Sequence, residues 1–414
     1  QEVMNFKNES FPFSRKKMSL FDSRLADTDI IDLSIGAPGP DLLSRAFELF
    51  TEMTNQAQSK SNKDQFALHF QYGPNEGSQI FLKALADFLS AQYDCPVSTH
   101  SLILTCGATH GLHLACSTLL QTTGTGGVVF VENPTYFIAL DIFQDLKLKV
   151  VSYERGDLDD LAQKVRTEKS KIEHQQKFWG LVYVVPSFHN PTGLCLTEQE
   201  CKNMIGIVEE HDLLMICDDV YNLLWYSTEG KEASKRLFSY KKSANIISNG
   251  SFSKVLAPGI RLGWIESNTV LVNSLKNTGV LSSGGAVNNV MSGLISQVLL
   301  NGSLSKHLEF LRKEYGLRMD SFCNILEEKL PREFSFDRPQ GGYFIWIRGP
   351  ITTFDVDTFM RTSSAVRILP GHKASSSKYK TWSNAFRVSI AYYDITTLVK
   401  SANLLCQSLK EFEV

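Results

Sequence analysis

The stretch SFSKVLAPGIRLGW, residues 251–264, sets two hydroxyls, one lysine and one arginine around a glycine-bearing turn. Lys254 lies between Ser251 and Ser253 on one side and Ala257-Pro258-Gly259 on the other. A loop with one pre-set and one permissive backbone position therefore carries Arg261 back toward the lysine. An amine able to form a Schiff base with an aldehyde, beside hydroxyls and a guanidinium able to hold a phosphate, is the set of groups that pyridoxal phosphate requires. A bare SxSK is read more readily as a surface lysine, because short motifs recur by chance. The longer SFSKxxAPGxRxGW is far more specific.

The chain has 414 residues, beyond the size at which one core usually stops growing, so two domains sharing a buried core are expected. With 42 Lys and Arg against 44 Asp and Glu it has no basic field to draw nucleic acid or an anionic membrane. Partners are expected to be small molecules or a second copy of the chain. The eight cysteines form no CxxC, and several sit in apolar runs such as LLMICDD, which favours a reducing compartment. The opening residues contain no apolar run of signal-peptide length, and no stretch approaches a spanning helix, so a cytoplasmic location is expected.

Outward from the lysine segment, the rest reads as repeated strand, loop and helix from about residue 100, predicting an α/β domain with a mainly parallel sheet. Upstream, Ile31 to Ile35 read as a strand followed by a rigid loop, Gly36-Ala37-Pro38-Gly39-Pro40, able to border a pocket. FQYGPNEGSQIFLKALADFL (70–89) reads as a turn and a helix with apolar Ile80, Leu82, Leu85 and Leu89. Gly107-Ala108-Thr109 open another helix, whose N-terminal N–H groups and threonine hydroxyl suit a phosphate, although helix capping explains the same residues. His110 and His113 lack a third ligand at suitable spacing, so no metal site is expected. LVYVV (181–185) is nearly continuous apolar, as a strand buried on both faces should be, and breaks into a loop carrying Asn190. A further buried strand ends at Asp218, a carboxylate that is costly there unless paired; a protonated ring nitrogen would pair it. The strand ends at Asn190, at Asp218 and at Ser251 to Lys254 converge where open α/β sheets bind ligands.

YGPxxG (72–77), TCGATHGL (105–112), ENPTY (132–136), PSFHNPTG (186–193), DDVY (218–221), the lysine segment and FRVSI (386–390) follow one another in order. In that ordered set, spanning Ile31 to Ile390, the chain resembles pyridoxal-phosphate aminotransferases of fold type I, in the branch that includes 2-aminoadipate and kynurenine aminotransferases. The resemblance implies a three-layer α/β/α large domain, residues 48–299, and a smaller α+β domain formed by both chain ends, residues 1–47 and 300–414. It implies that Lys254 holds the cofactor and acts as base, that Asp218 keeps the ring nitrogen protonated, and that Tyr221 and Asn190 meet the phenolate oxygen. It assigns Tyr136 to the ring face and Gly107, Ala108, Thr109, Ser251, Ser253 and Arg261 to the phosphate. Tyr72 is then expected to reach the phosphate of a neighbouring subunit in a homodimer. Arg387 is expected to bind the substrate α-carboxylate, with Gly36 and Asn190 beside it and Tyr343 lining the side-chain pocket. His110 stands where many relatives carry glutamine, and Ile80-Phe81-Leu82 where they carry Leu-Arg. The implied activity moves an amino group between an L-amino acid and a 2-oxo acid by a ping-pong mechanism. A lyase or decarboxylase would use the same equipment, and so would a non-catalytic ligand-sensing domain, against which the short segment before Ile31 and the charge balance speak. The preferred side chain is not legible, because such pockets are built from scattered contacts.

Overall fold

The computed structural model describes residues 30–59, 63–119, 127–172, 178–226, 235–242, 245–285, 287–363, 366–376 and 381–412. The chain enters through β1 (Ile31–Asp32), α1 (Pro40–Ala57), α2 (Lys63–Ala67) and α3 (Gln79–Tyr93). Strand and helix then alternate: β2 (Leu102–Thr105), α4 (Ala108–Leu119), β3 (Val128–Asn133), α5 (Phe137–Asp145), β4 (Lys149–Glu154), α6 (Leu158–Lys169), β5 (Gly180–Val184), α7 (Glu198–Glu210) and β6 (Leu214–Asp218). β7 (Ile246–Ser251) and β8 (Gly263–Ser267) close the series. Four helices follow, α8 (Thr269–Lys276), α9 (Gly279–Ser282), α10 (Asn289–Leu300) and α11 (Ser303–Lys329). The last part comprises β9 (Ser335–Phe336), β10 (Phe344–Arg348), α12 (Val356–Thr362), β11 (Val366–Arg367), β12 (Leu369–Pro370), β13 (Ala385–Ser389) and α13 (Ile395–Glu411).

Among the described residues, β2 to β8 form one seven-stranded sheet in the order β2-β8-β7-β6-β5-β3-β4. It is parallel except at β8, which runs antiparallel to both β2 and β7. Apolar residues fill consecutive positions of the inner strands because both faces are covered. On one face Val129, Val131, Leu181, Tyr183, Leu214 and Ile216 pack with Leu112 of α4, Phe143 of α5 and Leu275 of α8. The intervening Val128, Phe130, Val182, Val184, Met215 and Cys217 pack on the other face with Leu161 of α6 and Met204 of α7. The side-chain period of two thus builds the expected three layers, helix, sheet and helix.

The chain ends meet. β1 pairs in parallel with β11, while β12, β13, β10 and β9 form a four-stranded antiparallel sheet. Strand β1 is shorter than the expected run to Ile35, because the Asp32 carboxylate accepts from both the amide and the hydroxyl of Ser34 and turns the chain. In α3 the buried stripe is Phe81, Leu82, Leu85 and Leu89, whereas Ile80 stays 39% exposed. Ser78 caps that helix by accepting from Phe81 N, which sets its start and so its facing. The boundary expected between residues 47 and 48 falls inside α1, and that between 299 and 300 at the last residues of α10. The largest apolar cluster among the described residues joins Leu33, Phe322 and Leu405 from the two ends with Phe81 and Trp264 from the middle of the chain.

Candidate active site

In a parallel sheet the loops that leave the strands share one edge, so the segments after β2, β3, β5, β6 and β7 open onto the same space. They surround a cavity of about 260 Å³ that the C-terminal sheet completes with Phe344, Leu369 and Arg387.

One end of the cavity is a cradle for an anion. Ala108 and Thr109 open α4, and their N–H groups belong to the first turn, which lacks intrahelical acceptors. Gly107 has φ +86°, which favours glycine, and a Cβ there would stand 3.1 Å from Arg261 Nη2 and crowd the guanidinium. Arg261 is held at the helix mouth by donating to Pro258 O at 3.1 Å and Cys106 O at 3.4 Å. Ser251 and Ser253 line the same end, with Ser253 N donating to Ser251 Oγ at 3.1 Å. His110 does not reach the cavity lining; its Nδ1 accepts from Cys106 N at 3.1 Å, and burial lowers its pKa, with His113 adding to the effect. No group of three or more metal-ligating side chains occurs among the described residues.

The centre carries Lys254, Asp218, Tyr136 and Tyr221. The Lys254 amine donates to Gly36 O at 2.8 Å. Burial, the Arg387 charge and the Arg261 charge lower its pKa to about 8, although Asp218 pulls the other way. Asp218 is 6% exposed at the end of β6, where burial raises its carboxyl to about 6 against the pull of Tyr183 and Lys254. Its Oδ2 accepts from the Tyr183 hydroxyl at 2.6 Å, while its Oδ1 is buried with no hydrogen-bond partner. Such an atom is expensive to bury unless a ligand meets it, and for a carboxylate the matching ligand group is a cationic N–H. Burial keeps the Tyr221 phenol protonated and therefore a donor.

The far end carries Arg387. In the C-terminal sheet it stands opposite Trp346 and Leu369, so Phe344, two residues from Trp346, shares its face. The guanidinium lies 4.0 Å from the centre of the Phe344 ring and donates to Asn190 Oδ1 and Ser34 O, each at 2.7 Å. A Cβ on Gly36 would stand 2.9 Å from Phe344, so the loop after β1 can close against the ring only as glycine.

The structure thus brings together Gly36, Ala108, Thr109, Tyr136, Asn190, Asp218, Tyr221, Ser251, Ser253, Lys254, Arg261 and Arg387, with Gly107 directly behind. Tyr343 is not among the residues that line the cavity. The alternation that points Phe344 into the cavity turns Tyr343 away, and its hydroxyl donates to Lys254 O at 3.0 Å and meets Tyr315. Tyr72 does not line this cavity; it is 82% exposed and lies beside Gly284. Sequence reasoning missed Phe344 and Tyr183. The second had a signal, since a tyrosine inside a strand buried on both faces must place its hydroxyl somewhere.

These groups fit pyridoxal phosphate: a cradle for its phosphate, an amine for its aldehyde, donors for its phenolate and an unpartnered carboxylate oxygen for its ring nitrogen. Comparison with known proteins agrees. The model of the family described as aminotransferase class I and II matches residues 28–402. Aromatic-amino-acid aminotransferase 1 of Thermococcus litoralis is 26% identical over 411 residues, covering 96% of this chain and 94% of that protein. The HTH-type transcriptional regulator NorG of Staphylococcus aureus is 26% identical over 401 residues, covering 94% of this chain and 84% of the regulator. The crystal structure of Pyrococcus horikoshii kynurenine aminotransferase in complex with PMP, KYN and KYA is similar with a TM-score of 0.80 at 25% identity, over 93% of this chain and 92% of that one. Because the family match runs through all the elements that build the cavity, this chain belongs to the aminotransferase class I and II family and is a pyridoxal-phosphate-dependent aminotransferase.

Proposed function

We propose that this cavity is the site of transamination between an L-amino acid and a 2-oxo acid, with Lys254, Asp218 and Arg387 as its working groups. The observation that carries the reading is their convergence, from three separate elements, on one cavity. Pyridoxal phosphate, when bound, supplies an electron sink for the charge that develops as the substrate Cα–H bond breaks. Ser251, Ser253, Arg261 and the Gly107 to Thr109 turn would hold its phosphate, Tyr136 would cover its ring, and Tyr221 and Asn190 would donate to its phenolate oxygen. The Asn190 carbonyl oxygen accepts from Arg387, so its amide nitrogen is the group left for that donation. Arg387 receives the substrate carboxylate in a bidentate fork and so orients the Cα–H bond. Lys254 removes the substrate Cα proton as a neutral amine and holds it for return to the carbon two atoms away, beyond the substrate nitrogen.

Three results test this. Incubation with an amino acid gives its 2-oxo acid in stoichiometric amount, and sustained turnover requires a second 2-oxo acid; turnover without one indicates a lyase or decarboxylase. Arg387→Ala lowers kcat/KM by about 30- to 1,000-fold, and Arg387→Lys recovers only part of the loss because a point charge lacks the fork. Capture of pyridoxal phosphate by the cofactor-free chain accelerates about tenfold between pH 7 and 9, following an amine of pKa about 8. An unperturbed lysine would give roughly a hundredfold rise over that interval.

The likeness to NorG favours a second reading, a sensing domain that binds the same ligands without turnover. Multiple turnovers in the first assay exclude it.

We further propose a homodimer with shared sites. Tyr72 is exposed together with Leu68 and Phe70, at 82%, 70% and 74%, and this apolar stretch supports a second copy seated there. Mixing Lys254→Ala with Tyr72→Ala chains restores activity if Tyr72 serves the partner's site. The proposed division into a large unit, residues 48–299, and a small one from both ends is supported by a cavity lined from both the seven-stranded and the four-stranded sheet. The eight free cysteines support residence in a reducing cytoplasm.

A further inference from the structure

We infer that Tyr183 is a positioning residue for this chemistry: by donating to Asp218 Oδ2 it turns Oδ1 toward the cofactor ring nitrogen and keeps the shared proton on that nitrogen. The inference rests on the reading of the cavity as a pyridoxal-phosphate site. In the sheet Tyr183 pairs with Ile216, so Asp218, two residues further along β6, projects from the same face as Tyr183. The hydroxyl reaches Oδ2 at 2.6 Å, and neither side chain is more than 6% exposed. The tyrosine ring packs edge-on against Phe143 at 5.5 Å, which holds the hydroxyl where it is. Oδ1 has no partner in the protein and Asp218 lines the cavity. One oxygen is thereby anchored and the other presented.

The titratable groups around Asp218 are Tyr183 from β5, Tyr136 at the start of α5, Asp219 and Tyr221 from its own loop, and Lys254 from the loop after β7. Of these, Tyr183 makes the hydrogen bond to the carboxylate, and burial keeps its phenol protonated. A hydrogen bond to the charged form favours that form, so loss of the donor makes Asp218 more basic and draws the shared proton toward it.

The test uses full-length protein loaded with pyridoxal phosphate carrying 15N in the ring. Tyr183→Phe is expected to shift the ring-nitrogen resonance toward the neutral pyridine position and to lower kcat about 10- to 100-fold, in line with loss of a hydrogen bond to a charged group. In an Asp218→Asn background the same change is expected to cost no more than about twofold, because the anchored carboxylate is already gone. Site-specific 3-fluorotyrosine at position 183, a stronger donor that preserves the fold, is expected to move the resonance the opposite way. An unmoved resonance in both variants, or equal losses in both backgrounds, overturns the inference and leaves Tyr183 as packing. A wild-type chain that takes up no pyridoxal phosphate overturns instead the reading of the cavity.

Discussion

Lys254→Ala is expected to abolish turnover, lowering kcat by about 10⁴-fold or more while the chain stays folded. Two losses coincide at this position. The covalent anchor of the cofactor disappears, and so does the amine that moves the proton. The geometry gives no substitute close by. The amine sits against Gly36 O, about 5.5 Å from the centre of the Tyr343 ring and 5.6 Å from that of Tyr221, and burial keeps both phenols protonated. Added small amines are expected to restore a fraction of the rate, since they supply a base to the space the side chain leaves. Stability is expected to rise slightly near neutral pH. The folded pKa of about 8 lies below the ordinary lysine value of 10.5, so keeping the charged amine in the fold costs stability that grows as pH falls from about 10.5 to 8 and persists below. Thermal denaturation of the cofactor-free variant and wild type at pH 7 and pH 10 checks the sign: the gap narrows at the higher pH.

Asp218→Asn is the second large effect. An amide cannot hold the ring nitrogen protonated, so the electron sink weakens, and kcat is expected to fall by about 10²- to 10³-fold with the cofactor still bound. The same change should stabilise the cofactor-free protein. The Asp218 carboxyl has a folded pKa of about 6 against 3.8 for an exposed aspartate, so its ionisation costs stability as pH rises between those values and the cost persists above them. Roughly 2–3 kcal/mol is at stake at pH 7. Denaturant melts are therefore expected to show Asp218→Asn more stable than wild type at pH 7 and indistinguishable below about pH 4. A variant both slower and more stable would mark Asp218 as kept for chemistry.

The sheet and most of the cavity were legible because they depend on local pattern. A run such as LLMICDD states its strand and its end within one window, and the structure ends β6 at Asp218. The lysine segment likewise carries its own turn. What escaped depends on pairing across the sheet. Whether Tyr343 or Phe344 faces the cavity is a matter of one step in a period of two, and the GGYF run itself offers two aromatics in succession. The bond between Tyr183 and Asp218, 35 positions apart in sequence, follows from the parallel register of β5 and β6. Ile80 was read with Leu82, Leu85 and Leu89 by apolar spacing, but it stays 39% exposed and Phe81 joins the buried stripe of the helix that Ser78 caps. Strand β1 was overextended for a local reason, an Asp32 turn that overrides apolar pattern.

The central claim is that Lys254 bears the cofactor with its ring nitrogen toward Asp218. Borohydride reduction of the protein saturated with pyridoxal phosphate, followed by peptide mapping, tests it most directly. The account predicts one phosphopyridoxyl group per chain, on Lys254 within the Ser251 to Arg261 segment, and none in Lys254→Ala. A reduced protein with no label there, or with its label on another lysine, would contradict it.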